Sequence, residues 1–390
     1  MVVIASAVRT PLGSFQGALS PLKASHLGAA AVREAVRRAG IGHDQVELVL
    51  LGNVLPAGIG QAPARQAAIY AGLAHSTPSV TINKMCGSGL EAIIQGARAV
   101  ALGDAQVVVA GGMESMSNAP YLLPGARAGL RMGHAQLLDS MIHDGLWDAY
   151  YDQHMGSCAE LCARRYDFSR AAQDAFAERS YQRAQAAIAN GWFAPEIVPV
   201  EVPGRRGAVT VSADEEPARV DFAKLPALKP AFEPDGTVTA GNASTISDGA
   251  AAVVITSSEL AMANGWPVLA RIVGYSTHAH DPQWFTTAPV GAMRKLLQQL
   301  GWTPADVDLF EINEAFAVVT MAAMAELELP AEKVNVHGGA VSLGHPIGAS
   351  GARIVVTLLH ALRRLGKVRG MVSICIGGGE ALALGLERVG

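Results

Sequence analysis

The amino-acid sequence predicts an α/β fold built from two similar halves, and three observations support this prediction. Apolar, β-branched runs typical of buried strands alternate with stretches of helical length. Residues 86–115 and 348–381 share one pattern, namely a glycine-rich turn, a long helix, a strand and a Gly-Gly turn. Residues 2–11 also resemble residues 268–277. This self-similarity favours an old duplication, and chance similarity between common α/β elements is the alternative.

The individual elements follow from the same patterns. The strongest apolar runs predict buried strands at residues 46–55, 105–112, 307–313 and 370–379. Helix-length patterns follow the two glycine-rich turns, at residues 87–104 and 351–366.

Residues 117–247 interrupt this alternation, because they are rich in Tyr, Trp, His, Met, Pro and charged residues. The stretch is too long for a connecting loop and predicts an inserted loop domain that faces the substrate. A helix is expected within it, with Ser169 as N-cap and Gly191 as C-cap. We therefore expect a first half, the insert and a second half, at residues 1–116 (with 248–267 returning to it), 117–247 and 268–390.

Composition limits the class of protein. Half of the 390 residues are hydrophobic and 16% are charged, which excludes general disorder. A formal net charge of -4 argues against nucleic acid and against an anionic membrane as partners. No apolar run is long enough to predict a transmembrane helix, and the N-terminus resembles a strand rather than a signal peptide. Four cysteines fit a reducing, cytoplasmic setting.

Cys86 is the first candidate for chemistry. It follows an apolar strand, SVTINKM, and precedes a predicted helix start, GSGLEAII. The partial positive charge of the helix start favours a thiolate, and Gly87 and Gly89 allow close approach of a substrate. The pattern predicts a nucleophile on a strand-to-helix turn. A buried, unreactive cysteine is the alternative.

Other positions carry groups suited to acyl chemistry. Cys375 precedes three consecutive glycines whose N–H groups are free to bind an oxyanion. His345 lies in a glycine-rich turn and is a candidate base for a thiol. Asn313 and Glu314 end a predicted strand, where an Asn can orient a water. A structural cysteine, a turn-capping histidine and an N-cap asparagine are the alternatives.

Zinc, nucleotide and phosphate sites are the other classes that residues of this chain suggest. His154, Cys158 and Cys162 would share one helix face, as in a zinc site, but a fourth ligand is not evident. The glycine clusters match neither a Walker loop nor a dinucleotide fingerprint. A basic cluster predicts either a patch for phosphates or a solvated charged face, and it comprises Arg205, Arg206, Arg219, Lys224 and Lys229.

Taken together and in order, seven motifs resemble the thiolases: NKMCGSGLEAI, GGMESMS, HMGSCAE, GTVTAGNAS, NEAFA, GGAVSLGHPIGASGARI and CIGGG. The resemblance covers essentially the whole chain and is strongest to the biosynthetic type, including its mitochondrial, potassium-responsive members. It implies a layered α-β-α-β-α core and a loop domain that holds coenzyme A. It also implies a homotetramer, or at least a dimer.

The resemblance implies a role for each catalytic position. Cys86 matches the nucleophile that is acylated, and His345 matches the residue that activates it. Cys375 matches the acid/base that takes the α-proton of acetyl-CoA. Asn313 matches the holder of a water in one oxyanion hole, which it shares with His345. The backbone N–H groups of Cys86 and Gly377 match the second hole.

Ligand positions are carried over in the same way. The resemblance implies coenzyme A contacts at Tyr181, Arg219, Val220, Asp221, Lys224 and Ser244. It implies contacts near the pantetheine and acyl group at Leu146, His154, Met155, Ala315 and Phe316. It implies a potassium site at Tyr181, Ala240, Gly241, Ala243 and Val341. Near the acyl pocket Phe285 is kept, but Thr286 replaces a proline of that type, which leaves tolerance for 2-methyl-branched substrates open.

The sequence therefore predicts an acetyl-CoA C-acetyltransferase that works by a ping-pong route through acetyl-Cys86, with coenzyme A as substrate and product and no covalent cofactor. Two thiols with separate roles fit a Claisen condensation better than hydrolysis. A 3-ketoacyl-CoA thiolase of broader or branched specificity is one alternative. A thiolase-like protein that binds acyl-CoA without turnover is another.

Overall fold

The computed structural model describes residues 1–204 and 207–389. Sixteen strands lie in this part of the chain: β1 (Val2–Arg9), β2 (Gly13–Ser14), β3 (Leu48–Gly52), β4 (Ser79–Ile82), β5 (Val107–Ser115), β6 (Tyr121–Leu122), β7 (Leu138–Asp139), β8 (Trp147–Asp148), β9 (Gln153–His154), β10 (Val200–Val202), β11 (Val209–Val211), β12 (Ser247–Ser257), β13 (Ala270–Ala279), β14 (Leu309–Ile312), β15 (Arg369–Ile376) and β16 (Glu380–Arg388).

The same residues form ten α-helices: α1 (Ala24–Ala39), α2 (Pro63–Ala71), α3 (Ser88–Leu102), α4 (Met155–Arg165), α5 (Arg170–Ala189), α6 (Ser258–Asn264), α7 (Ala288–Leu300), α8 (Ala317–Leu327), α9 (Ala340–Leu343) and α10 (Ser350–Leu365). A single π-helical turn occupies Met141–Leu146.

The long strands follow one path, in the order β4, β3, β5, β12, β1, β13, β16, β15, β14. β3 pairs in parallel with β4 and β5, and β14 pairs in parallel with β15. The remaining neighbours on this path are antiparallel. Strands from the two ends of the chain meet where β1 pairs with β13, over two residue pairs, Val3 with Arg271 and Ile4 with Ala270. This short junction lets the two groups of strands form separate layers elsewhere.

Alternate residues of each strand pack into different layers. Val49 and Val109 face α1 and α2 on one side of the first group of strands. Leu50 and Val108 face a second cluster, which contains α3, α10 and residues of β15 such as Val372. Helices α7 and α8 cover the outer face of the second group. Strands that are buried on both faces explain the continuous apolar runs.

These contacts give the layer order α1/α2, first strands, α3/α10, second strands and α7/α8. The predicted layered α/β fold is confirmed by this arrangement. Burial of each large aliphatic side chain contributes about 1.5–3 kcal/mol, so the shared middle layer joins the two halves strongly. The division of the chain at residues 116/117, 247/248 and 267/268 stays a prediction.

The stretch between β5 and β12 carries α4, α5 and three short hairpins, β6–β7, β8–β9 and β10–β11. Helix α5 begins as predicted, because the Ser169 side chain accepts a hydrogen bond from Ala172 N at 3.2 Å. Its end differs by one residue. Asn190 is the C-cap, and Gly191 follows it with a φ of 69°, a left-handed conformation that suits glycine.

The two halves touch backbone to backbone near the starts of α3 and α10. A Cβ on Gly112 would lie 2.0 Å from the carbonyl oxygen of Gly348, and one on Gly351 would lie 2.5 Å from Leu90 N. Both distances are shorter than van der Waals contact. Only glycine therefore allows this approach, which brings the turn before α3 against the turn before α10. None of the described helices is long and apolar enough to cross a membrane.

Two glycines of α3 test this contact. A Cβ on Gly89 would lie 2.8 Å from the backbone nitrogen of Ala352, whereas one on Gly96 would lie 3.1 Å from side-chain carbons that can move. We expect Gly89→Ala to lower the free energy of unfolding by about 1–3 kcal/mol through overpacking. Gly96→Ala should change it by less than about 1 kcal/mol, because alanine favours the helix. Equal urea midpoints for the two variants would contradict the backbone contact.

Candidate active site

A cavity of about 390 Å³ opens beside the turns that precede α3 and α10. Cys86, His345 and Gly377 share its wall, so the structure brings together three of the five predicted catalytic positions. Aromatic and apolar side chains form much of the remaining surface, including Phe15, Met116, Phe232, Phe285, Phe316 and Ile347. Such a lining suits a mostly apolar ligand that is oriented by a few polar groups.

The turn that carries Cys86 is tightly hydrogen-bonded. Lys84 N donates to Ser88 Oγ at 2.8 Å, and Ser88 Oγ donates to the carbonyl oxygen of Met85 at 2.6 Å. Met85 has a φ of 47°, which is uncommon for a residue with a side chain. This conformation turns the chain sharply from β4 into α3 and leaves Cys86 half-buried at the cavity wall.

The thiol of Cys86 is neutral at rest. Burial raises its pKa to about 11, and the charge of Glu114 adds to this rise, while the backbone N–H groups of Gly377 and of Cys86 itself act in the opposite direction. The expectation that the helix start favours a thiolate is therefore wrong, because desolvation outweighs the nearby N–H dipoles. Attack by this sulfur requires a base.

His345 has the properties of that base. Burial, with a smaller contribution from the charge of Arg353, lowers its pKa to about 3, so the imidazole is neutral at pH 7. Its Nδ1 lies 2.5 Å from Ser350 Oγ, which donates to the carbonyl oxygen of Pro346 at 3.0 Å. Because the serine hydrogen is already used, we assign the imidazole hydrogen to Nδ1. Nε2 is then unprotonated, and no described residue hydrogen-bonds to it.

Cys375 lies directly behind the cavity. It is fully buried on β15, in a cluster with Met155 and Phe316, which do line the cavity. Burial raises the pKa of its thiol well above the usual value, and the charge of a Cys86 thiolate raises it further. The effect of Cys86 on the pKa of Cys375, together with the shared Met155 and Phe316 cluster, indicates that the two thiols are near each other, although Cys375 itself is not part of the cavity wall.

Asn313 follows β14 and is fully buried. Its backbone N–H donates to the carbonyl oxygen of Ser373 at 3.0 Å, but neither polar atom of its side chain has a partner among the described residues. A buried, unpaired amide is the kind of group that binds a water or a ligand oxygen. Glu314 differs, because its carboxylate accepts hydrogen bonds from Ser180 Oγ at 2.7 Å and from Asn335 Nδ2 at 2.8 Å.

The positions expected to contact coenzyme A fall into two groups. Six line the cavity: Leu146, His154, Met155, Ser244, Ala315 and Phe316. The other five lie outside its wall: Tyr181, Arg219, Val220, Asp221 and Lys224. Tyr181 is buried against Val220, and the remaining three are exposed.

The expected phosphate patch is partly neutralised. Arg219 lies 3.7 Å from Glu216, and Lys224 lies 2.9 Å from Asp221. Lys229 is exposed, whereas Arg205 and Arg206 lie outside the described residues.

The metal hypotheses have different outcomes. Within residues 1–204 and 207–389, no group of three or more His, Cys, Asp or Glu side chains could hold a metal ion, so His154, Cys158 and Cys162 do not form a zinc site. Of the expected potassium positions, Ala240 and Ala243 line the cavity, while Tyr181 and Val341 share a small buried cluster. Gly241 follows Ala240 in the same turn, where its N–H donates to Thr239 Oγ1 at 3.2 Å.

Comparison with known proteins agrees with this geometry. The family model described as "Thiolase, N-terminal domain" matches residues 2–259, and "Thiolase, C-terminal domain" matches residues 266–388. The chain belongs to the thiolase family. It is 53% identical to an acetyl-CoA acetyltransferase of Pseudomonas aeruginosa over 389 residues, 99% of each chain. It is 52% identical to acetyl-CoA acetyltransferase 2 of Arabidopsis thaliana, over 99% of this chain and 96% of the relative.

Two crystal structures extend the comparison. The acetyl-CoA acetyltransferase of Bacillus anthracis has a TM-score of 0.97 and 44% identity, and the match covers 100% of this chain and 98% of the other. A thiolase of Ascaris suum in complex with coenzyme A has a TM-score of 0.95 and 46% identity, with 100% of both chains covered.

Several residues of this thiolase site were missed in the sequence. Ser350 fixes the His345 ring, Phe232 stacks on His154 with ring centres 4.7 Å apart, and the Glu114 carboxylate lies near Cys86. Glu114 gave a signal, because it lies in the GGMES segment of the repeat, which the structure places at the end of β5. Phe232 gave no signal in the sequence, since it is far from His154 along the chain.

The burial of the thiols predicts selective alkylation of this thiolase. Cys158, Cys162 and Cys375 are fully buried, so iodoacetamide at pH 8 should label Cys86 alone. The rate should rise about tenfold per pH unit up to pH 10, because the raised pKa leaves little thiolate below that value. Peptide mapping by mass spectrometry measures the label, with Cys86→Ser as the unlabelled control. Equal labelling of a second cysteine would contradict the assignment.

Proposed function

We propose that this thiolase is an acetyl-CoA C-acetyltransferase. It condenses two acetyl-CoA molecules to acetoacetyl-CoA and coenzyme A, and it catalyses the reverse thiolysis. The observation that carries the proposal is the meeting of the Cys86 thiol, the neutral His345 and the Gly377 backbone at one cavity. Relatives at about half identity over the full chain bear the name acetyl-CoA acetyltransferase.

The first half-reaction transfers an acetyl group to Cys86. His345 Nε2 takes the thiol proton, and the sulfur attacks the thioester carbonyl carbon of acetyl-CoA. The backbone N–H groups of Cys86 and Gly377 donate to the oxyanion that forms. Both N–H groups already act to lower the pKa of the Cys86 thiol, so they are close to the reacting sulfur. The C–S bond to coenzyme A then breaks, and the leaving thiolate takes a proton from Cys375. One thioester replaces another, so the step needs little driving force.

The second half-reaction forms the carbon–carbon bond. The Cys375 thiolate left by the first step takes the α-proton of a second acetyl-CoA. The enolate oxygen is held by protonated His345 and by a water bound to the Asn313 amide. The lack of any partner for this buried amide among the described residues supports the water. The enolate carbon attacks the acetyl group, and Cys86 leaves as a thiolate that recovers its proton from His345. Loss of one oxyanion donor commonly costs about 10²–10³-fold in rate.

The walls of the cavity support a short acyl group. Phe316 packs edge-on against Phe285 at 6.3 Å and against Phe232 at 5.9 Å between ring centres. Met155 lies in the same cluster and completes this apolar end. We therefore propose acetyl and acetoacetyl groups as substrates. The exposed Arg219 and Lys224 are proposed to meet the phosphates of coenzyme A, with the six cavity-lining positions along the pantetheine and acyl group.

We also propose a potassium site at Tyr181 and the carbonyl groups of Ala240, Gly241, Ala243 and Val341. Tyrosine and main-chain oxygens are hard ligands that suit such a cation. The surroundings of Tyr181 support this site. Burial is the main cause that raises the pKa of its hydroxyl, and the negative charges of Glu216 and Glu314 raise that pKa further. Negative potential at a buried hydroxyl is relieved by a bound cation. The ion would stiffen the wall formed by Ala240 and Ala243.

A homotetramer and a cytoplasmic location complete the proposal. Large apolar side chains of the insert are exposed, including Tyr121, Leu130, Met132 and Leu137, and exposed patches of this kind commonly form subunit interfaces. All four cysteines are free, which fits a reducing compartment.

Replacement of the nucleophile tests the central step. Cys86→Ala should abolish coenzyme A-dependent cleavage of acetoacetyl-CoA, and intact mass after incubation with acetyl-CoA should reveal one acetyl group on the wild type and none on the variant. Cys162→Ala, which removes a buried thiol that packs behind the site but does not line the cavity, is the control and should retain both. Undiminished turnover by Cys86→Ala would refute the nucleophile. Wild type that acquires no acetyl group and releases no coenzyme A would instead fit a protein that only binds acyl-CoA.

The potassium proposal is tested by ion exchange. Turnover should be higher in potassium chloride than in tetramethylammonium chloride at equal ionic strength. Tyr181→Phe, which removes one ligand oxygen and keeps the ring, should lose most of that difference. Identical rates in the two salts would contradict the site.

A further inference from the structure

Glu114, near the end of β5, joins the two halves at the active site. Its carboxylate is fully buried, and Oε2 accepts a hydrogen bond from Gly348 N at 2.9 Å. Gly348 lies three residues after His345, in the turn before α10. The other donors belong to the segment after β3: Asn53 Nδ2 at 2.6 Å, Val54 N at 2.9 Å and Leu55 N at 3.3 Å. A single side chain thus fixes the His345 turn onto the strand ends that flank Cys86.

The second half contains a counterpart of Glu114. When the repeats are superposed in sequence, GGMES (111–115) aligns with GGGEA (377–381), so Glu114 aligns with Glu380. Glu380 forms an ion pair with Lys84, which lies two residues before Cys86. Each half therefore uses the glutamate that follows its aligned glycines to hold the catalytic turn of the other half, although the glycines of the first half lie within β5 and do not form the predicted turn.

The two contacts differ in strength. Glu114 is inaccessible to solvent and binds backbone groups that cannot move independently. Glu380 and Lys84 are 37% and 26% exposed, and partly solvated ion pairs contribute little. Neither glutamate lines the cavity, so neither is placed to touch the substrate.

We propose that Glu114 and Glu380 are reciprocal positioning residues, which set the spacing between Cys86 and His345 across the boundary of the two halves. The proposal rests on the thiolase activity proposed above. Glu114 has the larger effect because it holds the His345 turn by its backbone. Its charge also opposes ionisation of Cys86, which gives a signal independent of turnover.

Variants at Glu114 separate positioning from charge. Glu114→Gln keeps an oxygen for Gly348 N. Its amide group takes the place of Oε1, which accepts from Asn53 Nδ2 and Leu55 N, and it can donate to Asn53 once the Asn53 amide turns its unpaired Oδ1 toward it. Glu114→Ala removes the contact. We expect Glu114→Ala to lower kcat for acetoacetyl-CoA thiolysis by about 10–100-fold with little change in KM, because small displacements at reacting groups are costly. Glu114→Gln should retain kcat within about threefold.

Alkylation of Cys86 by iodoacetamide supplies the second measurement. Both Glu114 variants should react faster than wild type at pH 8, because loss of the negative charge lowers the pKa of Cys86. Asp308→Ala is the control, since Asp308 also accepts backbone hydrogen bonds, from Val368 N and Arg369 N, before β14 and away from the cavity. It should leave kcat and alkylation unchanged.

The counterpart is tested by Glu380→Gln. We expect a two- to fivefold fall in kcat with unchanged KM, as for loss of a partly exposed ion pair, of about 0.4–1 kcal/mol. Unchanged kcat would overturn the Glu380 part of the proposal.

The outcomes distinguish this proposal from the proposed function. Wild-type kcat in Glu114→Ala, or an effect on KM alone, would overturn the Glu114 part. If wild type itself lacks thiolase activity, the proposed function fails. A wild-type alkylation rate in Glu114→Ala would then overturn the Glu114 part separately, because the surroundings of Cys86 would be undisturbed by loss of both the contact and the charge. If Glu114→Ala does not fold, Glu114→Asp replaces it. Its shorter side chain keeps the charge but withdraws the oxygen from Gly348 N, so kcat should fall while alkylation stays near the wild-type rate, and wild-type kcat would overturn the proposal.

Discussion

Direct backbone contact between the two halves is the constraint on which the site depends. Gly348 fits against Gly52 and Gly112, where a Cβ would come within 2.5 Å or less of its carbonyl oxygen. Helices α3 and α10 cross near their starts in the same way, where Gly89 faces Ala352 N and Gly351 faces Leu90 N. Cys86 and His345 lie on the two turns that this crossing brings together. The strand that carries Cys375 then completes the site from the second half.

Burial determines the charge state of this site. Desolvation raises the pKa of Cys86 to about 11 and lowers that of His345 to about 3, so a neutral thiol faces a neutral imidazole at pH 7. Charge appears only when a proton passes between groups, and the N–H donors needed to stabilise it are already in place. Such preorganisation suits a reaction that proceeds through an oxyanion and an enolate.

The two halves present catalytic turns with different chemistry. The first half presents Cys86 directly after Met85, whose φ is positive, and the second presents His345 with its ring held by Ser350. The aligned glutamates, Glu114 and Glu380, each reach across to the other half. The repeat was visible in the sequence, but these contacts between the halves were not. An alignment shows that Glu114 and Glu380 are equivalent, and it does not show which residue each of them contacts.

The sequence by itself determined the α/β class, the repeat, the strands and helices of the core, and the catalytic candidates, because apolar periodicity and short motifs are local properties of the chain. Tertiary structure decided the rest. The predicted thiolate at Cys86 was wrong because desolvation by burial raises the pKa of the thiol, with a smaller rise from the charge of Glu114, and both depend on how distant parts of the chain pack. The neutral state of His345 has the same origin. Packing between glycines that are far apart in the sequence decided which turns come together. No local sequence pattern predicts how closely such distant glycines approach each other.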